Sequence, residues 1–131
     1  MSSRHRVALW FRLAVTALFL LGVVAQFLTA GYGWFVGGFD VHETLGWTLM
    51  HFLPVMILLA TLVLWSRLNL ALALVVGVLG VVQPFLAQIG DWVAVLHPLN
   101  ALVTFFVGHL LLRRDVEAVR ARALPPAADS A

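Results

Sequence analysis

Four stretches of the chain stay apolar for the roughly 20 residues that a helix needs to cross a hydrocarbon core. They cover about 7–29, 41–65, 68–89 and 92–112. The breaks between them are short. Gly31, Gly33, Gly37 and Gly38 punctuate the first, Ser66-Arg67 the second and Gly90-Asp91 the third. Connections this tight force consecutive helices to run antiparallel. The pattern predicts an all-α membrane protein, an antiparallel four-transmembrane-helix bundle occupying residues 1–114. The remaining residues, 115–131, read as a tail that first extends the last helix and then ends as Pro-Pro-Ala-Ala-Asp-Ser-Ala, a segment expected to be disordered.

Composition agrees and narrows the chemistry. Of the 131 residues 63% are hydrophobic and 11% charged, against about a quarter charged in a soluble domain. Lipid is the expected solvent for so much apolar surface. There is no cysteine, which excludes disulfides, zinc–thiolate sites and iron–sulfur clusters. A net charge of +2 is too small to suggest a nucleic-acid partner.

Charge placement orients the bundle. Arg4, Arg6 and Arg12 open the first segment, Arg67 sits between the second and third, and Arg113, Arg114, Arg120 and Arg122 follow the fourth. In an antiparallel arrangement all fall at one end, which the positive-inside rule makes cytoplasmic, as it does both termini. Asp40, Glu43 and Asp91 fall at the other end. Trp10 and Trp65 suit the inner interface, and Tyr32, Trp34 and Trp92 the outer one. The expected location is the cell membrane, with several passes. The alternative for the first segment is a cleaved signal peptide, but it is longer than the apolar core of one, and Leu28-Thr29-Ala30 is only a fair cleavage context because of its bulky leucine.

A weak internal repeat runs through the chain. Leu21-Gly22-Val23-Val24 recurs as Leu79-Gly80-Val81-Val82, and Phe27-Leu28 as Phe85-Leu86. In each half a glutamine, a connection and a histidine follow, Gln26 then His42, and Gln83 then His97. Two related hairpins are expected, a plan common among membrane folds.

Polar residues within membrane spans are costly, and function concentrates there. Gln26, His42, Glu43, Gln83, Gln88, His97 and Asn100 crowd toward the outer halves of the four segments. His51 lies nine residues beyond His42, about 13 Å at helical rise, and an ideal helix turns it about 180° from His42. A hydrogen bond to a threonine of the bundle is its expected role, with metal ligation the alternative. His109, near the arginines, is expected to snorkel to the interface. Glu43 shares an i, i+4 stripe with Trp47 and His51 and could accept a proton or orient a histidine. As the residue before Pro98, His97 could mark a kink or a late helix start.

His42 and His97 stand at similar depth on segments that are diagonal in a simple up-down bundle. Imidazoles so placed can bind a heme iron from both sides. Gly46 and Ala101, each one turn away from a histidine, would leave room for the porphyrin. Gln26, Gln83 or Asn100 could hydrogen-bond the ligands' second nitrogens or the propionates. The competing reading makes the cluster a structural one that holds helices together, in a non-enzymatic subunit with another membrane protein, or a second copy of the chain, as partner. A small transporter using the outer cleft is the third. No catalytic triad, Walker loop or zinc-protease motif is present, which points away from an enzyme.

Two stretches, DVHETLGWTLMHFLPVMILLA from Asp40 and LHPLNALVTFFVGHLLLRR from Leu96, resemble a family of small four-helix bacterial membrane proteins to which no activity is attached. More distantly the layout is similar to one four-helix half of heme A synthase, and to membrane b-type cytochromes. That resemblance implies heme b as cofactor and His42 and His97 as its ligands. The Glu-x-x-His-Arg signature of heme A synthase is absent, since Glu43 follows the histidine and no arginine adjoins it.

Overall fold

The computed structural model describes residues 2–123, which are helical almost throughout. Helix α1 spans Ser3–Val36, α2 Asp40–Leu45, α3 Phe52–Leu64, α4 Arg67–Gln88 and α5 Leu96–Ala123. A π-turn, Gly46–Met50, joins α2 to α3, and a 3₁₀ turn, Asp91–Val95, leads into α5. These form four rods, each long and apolar enough to cross a membrane: α1, α2 through α3, α4, and the 3₁₀ turn with α5.

The rods run antiparallel, and individual contacts fix the register. On the first two, Gln26 meets His42 at one end and Arg12 meets Thr61 at the other. On the last two, Gln83 meets His97 and Arg114 meets Asn69. The bundle closes where α5 packs back on α1, with Gly108 against Leu20 and Arg12 against Asp115. Each rod thus touches its two neighbours around the ring, leaving the α2–α3 rod and α5 diagonal. Phe19, Leu20 and Val23 of α1 form the core with Leu53 and Ile57 of α3, Ala73 and Val76 of α4 and Leu111 of α5. Large apolar side chains also point outward, among them Leu21, Leu28, Val63, Val78 and Val81.

Two features differ from the pattern reading. Helix α1 runs through Gly31 and Gly33, and the chain breaks only at Gly37 and Gly38, at φ +110° and +87°. A glycine costs a helix about 1 kcal/mol, too little to stop one that packs well. Gly33 is a close-approach position. A Cβ there would lie 2.8 Å from the Gly38 carbonyl and 2.9 Å from the Phe39 ring.

The second rod is not continuous α-helix. Pro54 has no N–H, and its ring crowds the carbonyl four residues back, that of Met50. The π-turn ends at Met50 and relieves that crowding by widening the helix. At the other end of the chain α5 continues unbroken past residue 112 to Ala123, through the stretch read as a helical extension. The segment expected to be disordered lies outside the described residues from 124 on.

Candidate cofactor site

At the end of the bundle away from the arginines, all four rods line one cavity of about 360 Å³. Its walls are mostly apolar. The polar lining includes Gln26, His42, Glu43, His51, Gln83, Gln88, His97 and Thr104.

The two expected histidines meet there. Their ring centroids are 6.0 Å apart and their planes inclined at 63°. Each is held by a reciprocal pair of hydrogen bonds to the glutamine of its own hairpin. His42 Nδ1 lies 3.0 Å from the Gln26 carbonyl, while the Gln26 amide donates to the His42 carbonyl at 3.1 Å. His97 Nδ1 lies 2.9 Å from the Gln83 carbonyl, and the Gln83 amide donates to the His97 carbonyl at 3.0 Å. A carbonyl only accepts, so Nδ1 carries a proton in both rings, and in the neutral imidazole Nε2 is then the nitrogen with the lone pair. The internal repeat seen in the sequence is thus a repeat of site architecture. Sequence reasoning offered the glutamine and asparagine side chains as partners of the imidazoles. The partners are instead the glutamine main-chain carbonyls, and the side chains bind the histidine main chain.

The halves differ in what surrounds each pair. Asn100 donates to the Leu79 carbonyl at 2.9 Å and to Gln83 Oε1, so α5 is tied to α4 beside His97. Beside His42, Thr29 Oγ1 lies 3.4 Å from Nδ1, and the Phe39 ring meets the imidazole edge-on at 6.3 Å.

His51 also lines the cavity, against the expectation that it faces away from His42. The π-turn supplies the reason. It absorbs one residue, so the phase between positions 42 and 51 falls from about 180° to roughly 80°. Among the described residues no threonine binds His51. Its Nδ1 lies 2.8 Å from the Gly46 carbonyl, and its ring stacks on Trp47 at 4.9 Å and 6°. Thr48 donates to the Thr44 carbonyl of its own helix. Glu43 lines the cavity rim and is exposed, as is His109 at the far end. Pro98 stands in the first turn of α5, where a missing N–H leaves nothing unpaired, so His97 marks a late helix start.

Small residues share the cavity lining with the histidines. Gly46, Gly80 and Ala101 all line the cavity. A Cβ on Gly46 would meet Gln26 Nε2 at 3.5 Å and one on Gly80 would meet Pro54 at 3.6 Å, both ordinary contacts. No group of three or more His, Cys, Asp or Glu able to hold a metal ion occurs among the described residues.

A second polar site lies at the arginine end and was missed by sequence reasoning. Arg12 Nε and an Nη donate to the two Asp115 carboxylate oxygens at 3.0 and 2.5 Å, and the other Nη donates to Thr61 Oγ1 at 3.3 Å. Arg12 is 2% exposed, and Asp115 and Thr61 are 0% exposed. The available signal was helical phase, because Arg12 shares the stripe of Leu9, Thr16, Phe19 and Val23, all buried.

No family model, no curated protein and no solved structure matches this chain, so any functional reading rests on the geometry of these residues.

Proposed function

We propose that this chain is a multi-pass membrane protein that binds heme b between His42 and His97 and serves as an electron carrier or in heme handling. The observation that carries the reading is the histidine pair itself. Two imidazoles on opposite sides of one metal ion, at about 2.0–2.1 Å each, hold their ring centroids roughly 6.3 Å apart. The centroids of His42 and His97 are 6.0 Å apart. With both Nδ1 atoms donating to carbonyls, both Nε2 lone pairs are free to bind, the usual outer-shell arrangement of ligating histidines.

The donor set favours porphyrin over a bare ion. Two protein ligands suffice for a metal that brings four equatorial nitrogens of its own, whereas a structural zinc ion needs four. Gly46, Gly80 and Ala101 keep three lining positions of the cavity small. Gln26 and Gln83 fix ring orientation and tautomer, and Asn100 steadies Gln83. Heme supplies a one-electron couple, and two protein ligands on the iron suit electron transfer over oxygen chemistry.

The same reading puts the arginine end in the cytoplasm, by the positive-inside rule, and the histidines toward the outer face. Because the chain has no cysteine, single cysteines at Ser2 and at Gly38 report sidedness directly. A membrane-impermeant maleimide added outside intact cells should label the Gly38→Cys variant and spare Ser2→Cys, and the reverse pattern would refute the orientation.

The decisive experiment is the visible spectrum of protein purified after expression with heme supplied. A Soret band and sharp ferrous α and β bands of a low-spin, six-coordinate heme are expected, and they should be lost in His42→Ala/His97→Ala. A wild-type protein that takes up no heme, or a double variant with an unchanged spectrum, would defeat the proposal. One fact favours a purely structural subunit instead, namely that the two glutamine–histidine pairs already satisfy each other's main-chain groups without a ligand. On that reading Gln83→Leu destabilises the protein while no cofactor co-purifies.

A further inference from the structure

We infer that His42 is the releasable ligand of the pair and that a small neutral diatomic molecule takes its place on the metal, His97 remaining the anchor. This rests on the heme reading and adds a binding function to it. The two histidines have equivalent glutamine partners but unequal supports. His97 belongs to a continuous 28-residue helix, Leu96–Ala123. Three residues on, Asn100 ties that helix to α4 through the Leu79 carbonyl and Gln83 Oε1.

His42 sits on α2, a helix of six residues with no buried side chain and no side-chain cap. Glycines bracket it. Gly37 and Gly38 precede it at φ +110° and +87°, and Gly46 opens the π-turn that follows, which also buries no residue. Hinges are built from a few such terminal positions that absorb backbone rotation, and π-turns recur at functional sites. The position equivalent to Asn100, three residues after His42, is Leu45, which cannot make the tie to the neighbouring helix. The segment from Gly37 to Met50 is therefore an arm hinged at both ends, and it carries one ligand of a site whose other ligand is braced.

When the arm swings, the bond from His42 Nε2 to ferrous iron breaks and one from the incoming molecule forms. The iron stays ferrous and no proton moves, because Nδ1 keeps its proton throughout. His42 and Gly46 line the same cavity as His97, and its largely apolar lining suits a small neutral guest. The apparent affinity for the guest falls by the fraction of time the arm is open, so removing His42 should raise it.

The test uses the full-length heme-loaded protein reduced with dithionite, with carbon monoxide as probe. The wild type should convert to a carbon monoxide adduct at a rate that saturates with gas concentration, because release of His42 limits it. His42→Ala should retain heme, become five-coordinate, and bind the gas at least about tenfold faster. His97→Ala should lose most of its heme. A second readout needs no heme. In the apo protein, amides of residues 40–50 should exchange hydrogen at least about tenfold faster than those of 99–105. If the wild type is six-coordinate but forms no adduct, or if the two single variants behave alike, or if the two segments exchange equally, this inference is overturned while the heme site stands. Absence of heme from the wild type overturns the site itself.

Discussion

Removing Asp115 tests the account of what holds the bundle together. The carboxylate takes two hydrogen bonds from one guanidinium in a fork, at 2.5 and 3.0 Å, with both residues almost fully buried. In Asp115→Ala the arginine stays buried with only the Thr61 hydroxyl as partner. Breaking a buried ion pair from one side costs about 3–5 kcal/mol, because the other charge loses its compensation. At this chain length that corresponds to a lowering of the unfolding midpoint by roughly 10 °C or more. Removing both charges is a different perturbation. Arg12→Met/Asp115→Leu replaces the pair with apolar groups of similar volume, which is often neutral or stabilising by about 1–4 kcal/mol. The exposed Arg113–Glu117 pair, with side chains 69% and 60% exposed, is the control. Glu117→Ala should move the midpoint little, since solvent-exposed pairs contribute little. The measurement is unfolding in mild detergent followed by circular dichroism, for Asp115→Ala, the double variant and the control. Equal losses in the double and the single Asp115→Ala would refute the argument, since they would show packing at these positions, and not the orphaned charge, to be what matters. So would a loss for Glu117→Ala as large as that for Asp115→Ala.

Three further outcomes follow from the same contacts. Thr16 is fully buried and its hydroxyl has no hydrogen-bond partner among the described residues, so Thr16→Val, which keeps the shape and removes the unpaired group, should stabilise by about 1 kcal/mol; a loss in the same unfolding assay would show that the hydroxyl is paired. Gly33→Ala should destabilise by about 1–3 kcal/mol, because its Cβ would press on the Gly38 main chain, whereas Gly31→Ala, where nothing lies within 4 Å, should be neutral or gain up to about 1 kcal/mol of helix propensity; matching effects at the two sites would argue against the close approach. Gln83→Leu removes the donor to the His97 carbonyl and the acceptor of Asn100, and should cost about 1–3 kcal/mol, more than Gln88→Leu, whose side chain is exposed; equal costs would remove Gln83 from the supports of His97.

How much of this was legible depends on which signal each feature leaves in one dimension. The four rods announce themselves by sustained hydropathy, and the glutamine–histidine pairs by recurring in both hairpins. The arc around His51 left no such signal. Its apparent phase assumes 3.6 residues per turn, and Pro54, three positions further on, alters the winding of the turn before it. The buried ion pair was hidden for another reason. Arg12 and Asp115 lie 103 positions apart, and each stands near other charged residues that an orientation rule explains adequately. Arg12 was read as one of several arginines marking an end, although its place on the buried stripe of α1 set it apart from Arg4 and Arg6, which are exposed.

The ion pair also bears on how the two hairpins recognise each other. Each glutamine–histidine clasp is internal to one hairpin, so two copies of either half could form it. Arg12 and Asp115 come from different halves. Two first hairpins packed together would bury arginine with no carboxylate opposite, and two second hairpins would bury aspartate with no guanidinium. Only the unlike pairing satisfies both charges. If the chain were cut at Ser66 and its halves made as separate polypeptides, this single contact would select the mixed assembly over either symmetric one.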